Sequence, residues 1–112
     1  MTGLKRVVFR GDSLVALRQF PASARKVAGR QLELVQMGGE PADWKPMAAV
    51  GAGVREIRLR DESGIYRVIY VTKFAERIFV LHCFQKKSQR TSRADIDLAS
   101  RRYKELLKEY PR

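Results

Sequence analysis

Residues 54–85 hold three successive runs that read as β-strands, and the turns between them leave the chain little topological choice. In VREIRLR, Ile57 and Leu59 alternate with Glu56, Arg58 and Arg60, the period of a strand with one packed and one polar face. DESG, residues 61–64, is a hairpin turn, and the chain returns as IYRVIYV, β-branched and aromatic but for Arg67. A second turn at residues 73–76 leads into RIFVLHCF, whose near-continuous apolar character suits an interior strand covered on both faces. Three strands joined this way form a meander against which the rest must pack.

KRVVFR, residues 5–10, reads as a short strand, and Gly11, Asp12 and Ser13 supply the start of a helix, SLVALRQF, that Pro21 stops. A second helix over residues 22–37 carries Val27, Leu32, Leu34 and Val35 at near-helical spacing and ends at Gly38 and Gly39, so the two form a helical hairpin. Residues 40–53, rich in Pro, Gly and Ala, read as an irregular connection that tucks Trp44 against the core. Residues 94–110 set Ile96, Leu98, Ala99, Leu106 and Leu107 among many Lys and Arg, a basic amphipathic helix that Pro111 ends. The expectation is one α+β domain over residues 1–112: an N-terminal strand and helical hairpin packed on a small, mainly antiparallel sheet, in the order β-α-α-β-β-β-α and in a single layer of helix on sheet.

Charge narrows the partners. Lys and Arg number 23 against 12 Asp and Glu, a formal +11 that attracts nucleic acid, anionic membrane or acidic protein. No apolar run approaches the roughly 20 residues of a bilayer span, and no N-terminal segment has a signal-peptide core, so a cytoplasmic protein without a membrane partner is expected. Cys83 and His82 are the only residues of their kinds, which removes disulfides, thiolate clusters and His-His acid/base pairs, and no metal or other cofactor is expected. Within an apolar strand His82 reads as a core histidine and Cys83 as a small hydrophobe. GAG, residues 51–53, leads into a strand rather than a helix and so lacks the setting of a phosphate-cradling turn.

The cations that remain fall on the meander: Arg55, Arg58 and Arg60 on one strand, Arg67 on its hairpin partner, and Lys86, Lys87 and Arg90 beyond the next. Neighbouring strands lie about 4.8 Å apart, so these side chains can converge on one phosphodiester where their faces agree. Arg67 has two readings, an ion pair with Glu56 across the sheet or a fork on a ligand phosphate. In FQKKSQRTSRADID, Lys86, Lys87, Arg90 and Arg93 follow one another with no acid between Arg77 and Asp95. A solvated loop is the plain reading of such a run, but one without a carboxylate repels itself unless an external anion relieves it.

LRQFP, EIRLRDESGIYRVIY and FVLHCFQKKSQRTS, in this order and followed by the last helix, resemble the RelE/ParE toxin superfamily, most closely its phage-derived HigB-like branch. The most specific parts are Gly64, Tyr66, Arg67 and Tyr70 of a Gly-x-Tyr-Arg-x-x-Tyr strand and the Phe-x-Lys-Lys at Phe84, Lys86 and Lys87. The resemblance implies a RelE-like fold and a toxin of a toxin-antitoxin pair that cleaves mRNA on the ribosome without metal. Its partner would be a cognate antitoxin of helix-turn-helix type. By position, Arg67 would hold the scissile phosphate, with Arg58 and Lys86 or Lys87 beside it and Arg55, Arg60, Arg90 and Arg93 binding the nucleic acid. Glu56 stands where RelE has a lysine, and Ser92 lies near the place of its tyrosine, so the resemblance leaves the identity of the general base open, with Glu56 one candidate. ParE-type relatives share the fold and poison DNA gyrase instead, and an inactive nucleic-acid-binding relative is a third reading.

Overall fold

A computed structural model of the protein describes residues 4–74, 76–87 and 89–110. Its elements are β1 (Arg6–Phe9), α1 (Ser13–Arg18), α2 (Ala22–Gln36), β2 (Trp44–Pro46), β3 (Val54–Asp61), β4 (Gly64–Val71), β5 (Arg77–Gln85) and α3 (Arg93–Glu109). The strands form one five-stranded sheet in the order β1-β5-β4-β3-β2, antiparallel except where β1 runs parallel to β5.

The meander is as the sequence dictates. Asp61 pairs with Gly64, leaving a two-residue turn that the Asp61 carboxylate stabilises by accepting from the Ser63 amide at 2.8 Å and its hydroxyl at 2.6 Å. Gly64 takes a φ of 142°, which a side chain would strain. On β5 one extra residue is accommodated by a bulge opposite Ile69 and Tyr70, so that Leu81 enters the core and His82 still meets α3.

Two corrections concern the connections. Residues 40–53 are not wholly irregular: Trp44–Pro46 forms a fifth strand at the sheet edge, opposite Arg55, Glu56 and Ile57. Pro46 is tolerated because an edge strand has one side free of ladder bonds. Trp44 is only half-buried and carries the Arg55 guanidinium 4.0 Å above its ring, so it caps the edge rather than filling the core. The second correction is the layering. Helices cover both faces of the sheet, α1 and α2 on one and α3 on the other, giving three layers.

Each helix buries the stripe its spacing provides. Ala24, Ala28, Leu32 and Val35 of α2 face Ile57, Leu59, Tyr66 and Val68, and the small alanines let α2 approach the sheet closely. Ala99, Tyr103 and Leu106 of α3 pack on Val54, Ile69, Val71 and Phe79. Ser92 caps α3, accepting from the Asp95 amide at 3.1 Å while its hydroxyl donates to the Asp95 carboxylate at 2.7 Å. Pro111, read as the stop of this helix, lies outside the described residues.

Gly51 finds its reason here rather than in a ligand. A Cβ at this position would lie 2.3 and 2.5 Å from ring atoms of Tyr103, whose hydroxyl donates to the Ala52 carbonyl at 3.0 Å. Gly51→Ala must therefore displace a buried ring. The substitution is expected to lower stability by about 1–3 kcal/mol, read as a lower denaturation midpoint at unchanged slope in urea.

Candidate nucleic-acid interface

Strand alternation sorts the cations by face. In the β3–β4 register Arg58 lies opposite Arg67, Glu56 opposite Ile69 and Arg60 opposite Ile65, so all three β3 side chains point to the α3 side with Arg67. Lys45 joins them from β2, opposite Glu56. Lys86 joins them from β5: Arg67 pairs with Phe84, and the Lys86 amide extends that ladder by donating to the Ile65 carbonyl at 2.7 Å.

The charge field confirms this clustering. The Lys86 ammonium is held below the usual lysine range, first by lost solvation and then by the positive charges of Arg67, Arg58, Arg60 and Lys45. Lys45 of β2, Arg58 and Arg60 of β3, Arg67 of β4 and Lys86 just past the end of β5 thus share one sheet face. Lys86, with Gly64, Ile65 and Gln89, also lines an open depression of about 480 Å³.

Arg67 sits beneath this surface, not on it. Its side chain is 0% exposed and that of Glu56 1%, and their Nη1–Oε1 separation is 2.6 Å. The Thr91 hydroxyl donates to the other Glu56 oxygen at 2.6 Å and accepts from Arg67 Nη1 at 2.7 Å. Arg67 Nη2 donates to the Gln89 carbonyl at 3.3 Å. Of the two readings open from sequence, the structure realises the ion pair, and Glu56 is buried where alternation had placed it on a polar face. Both Glu56 oxygens are engaged.

The other expected residues divide. Arg55 points to the opposite face, against Trp44 and 3.6 Å from Glu40, because adjacent strand residues alternate. Lys87 lies past the end of β5 and is exposed. Arg90 is exposed on the segment between β5 and α3, and Arg93 opens α3 with an ion pair to Asp97 at 3.4 Å. Arg58 is half-buried, 3.9 Å from Asp43, and Arg60 is exposed. Sequence reading missed Lys45, which needed β2 to place it, and Thr91.

His82 hydrogen-bonds Asp95 through Nε2 at 2.7 Å and stacks on Phe84 at the α3 interface, while its Nδ1 is buried without a hydrogen-bond partner. Burial pushes the Cys83 thiol up to about 12. Among the described residues no three His, Cys, Asp or Glu side chains are placed to share a metal ion. No helix among them is long and apolar enough to cross a membrane.

Comparison with known proteins agrees with this geometry. A family model described as "Phage derived protein Gp49-like" matches residues 16–104. A free-state structure of an arginine-to-alanine double mutant of the E. coli toxin RelE superposes with a TM-score of 0.61 at 17% identity, covering 94% of this chain and 100% of that one. At that identity the likeness establishes the fold, which is the RelE fold expected from sequence. No curated protein matches the chain.

The buried pair makes a stability prediction. Arg67→Met alone strands the Glu56 carboxylate in the interior and is expected to cost about 3–5 kcal/mol, whereas Arg67→Met with Glu56→Leu recovers most of the loss. A double-mutant cycle by denaturant unfolding reads the difference. Cys83 is expected to resist alkylation at pH 8 in the native protein and to react at once in denaturant.

Proposed function

The chain belongs to the phage-derived Gp49-like family, and from that membership and the cationic sheet face we propose that it is the toxin of a toxin-antitoxin pair, acting as a ribosome-associated mRNA endonuclease. The observation that carries the reading is the convergence of Lys45, Arg58, Arg60 and Lys86 on one face, close enough that Lys86 feels the others. Such a cluster stores electrostatic repulsion that a phosphodiester would relieve. The RelE fold supports the toxin assignment by likeness to the E. coli toxin RelE.

The chemistry needs little more than these groups. The RNA 2′-hydroxyl is the nucleophile and attacks the adjacent phosphorus, so the protein supplies orientation and charge. Arg58, Arg60 and Lys45 offset the charge of the phosphorane as it forms, in a site already organised by the strands that carry them. Lys86, whose pKa is lowered first by lost solvation and then by its cationic neighbours, passes its proton to the departing 5′ oxygen. The 2′-hydroxyl proton leaves to solvent, and the products are a 2′,3′-cyclic phosphate and a 5′-hydroxyl. Arg67 and Glu56 serve by holding β3, β4 and the following segment in register. The partner is a cognate antitoxin of helix-turn-helix type whose acidic surface would cover the same cations.

Induced expression followed by primer extension on translated messages tests this. Discrete cuts are expected, reduced by about 10²-fold or more in Lys86→Ala, as for loss of one preorganised charge donor. Because a protonated Lys86 is required, cleavage should fall as pH rises through its lowered pKa, at lower pH than for an ordinary lysine. Intact messages with a DNA-damage response would instead identify a ParE-like gyrase poison, and absence of growth arrest an inactive binding relative.

A further inference from the structure

The segment between β5 and α3, residues 86–92, carries Lys86, Lys87 and Arg90 without one acidic residue. Self-repulsion opposes ordering such a segment, so something must fix it if Lys86 is to stay beside Arg58 and Arg60. Its ends are secured by the Lys86 amide on the Ile65 carbonyl and by Ser92 as the cap of α3. Between them, two contacts reach the buried pair: the Gln89 carbonyl on Arg67 at 3.3 Å, and the Thr91 hydroxyl, which donates to Glu56 at 2.6 Å and accepts from Arg67 at 2.7 Å.

We infer that Thr91 is a positioning residue of the cationic site: its hydroxyl closes a hydrogen-bonded ring with the buried Glu56–Arg67 pair and so clamps the segment that presents Lys86. The ring uses each group once in its proper sense. Arg67 donates to Glu56 and to Thr91, and Thr91 donates to the second oxygen of Glu56, so one hydroxyl answers both members of the pair. Bonds to ionised partners are short and strong, and these are shielded from water. Thr91 acts on Lys86 indirectly, through the buried pair, and touches no substrate. The inference rests on the nuclease reading for its consequence in catalysis but not for its geometry.

Three measurements test it on the full chain. In the purified protein, the Thr91 hydroxyl proton is expected to exchange slowly enough with water to be seen by NMR; a freely exchanging proton overturns the clamp without any variant. Thr91→Val keeps the shape and removes the hydroxyl. The Lys86 side-chain titration is expected to move up toward that of an ordinary lysine in Thr91→Val and to return in Thr91→Ser, and an unchanged titration in a folded Thr91→Val sinks the inference. On ribosome-bound message, Thr91→Val should lower kcat by about 10- to 100-fold with KM within about twofold, and Thr91→Ser should restore it. Loss of cleavage in the unsubstituted protein would count against the nuclease reading alone, since the two NMR results stand apart from activity.

Discussion

A buried arginine and a buried glutamate, 2.6 Å apart between two strands of the sheet, set the terms for everything around them. Neither charge could stay inside alone, because desolvation of an unpaired ion costs several kcal/mol. Their partnership fixes the diagonal register of β3 against β4, and the spare oxygen and the spare N–H groups then reach for Thr91 and Gln89. A pair of this kind adds little net stability over well-packed apolar side chains. What it adds is a polar anchor in the core to which a self-repelling surface segment can attach.

The arrangement divides two jobs among a row of basic residues. Arg67 neutralises Glu56 and is sealed from solvent, while Arg58, Arg60, Lys45 and Lys86 keep their charges at or near the surface. The strands bring these four onto one sheet face, where their charges add to lost solvation in lowering the pKa of Lys86. Lys45 and Arg58 lie 3.8 and 3.9 Å from Glu56 and Asp43, and a rigid sheet face carrying such charges is organised before any anion arrives, the condition under which charges lower a barrier most.

Much of the fold was legible because its signals are local. The period-two run at residues 54–60, the DESG turn and the apolar run before Phe84 specify a meander whichever way the chain packs. The helix stops at Pro21 and Gly38 are backbone properties of single residues. The edge strand at Trp44 was not legible, since three residues ending in proline carry no periodicity and pair only because β3 leaves an open edge. The second layer of helix was equally hidden. Ile96, Ala99 and Leu106 announce a helix with an apolar stripe, yet they do not say which side of the sheet it covers.

For the site, the sequence by itself determined the inventory: a chain of +11, one His and one Cys, with its cations gathered on and just after the β-runs. Alternation could have set Arg55 apart from Arg58 and Arg60, but placing Arg55 in the cluster left that rule unused. Only the tertiary structure decided the fate of Arg67. Whether a charge inside a strand meets a carboxylate or a ligand depends on which side chains from distant segments close over it, here Glu56 and Thr91, 11 and 24 residues away. Burial and long-range electrostatics are properties of the packed assembly, and no local pattern encodes them.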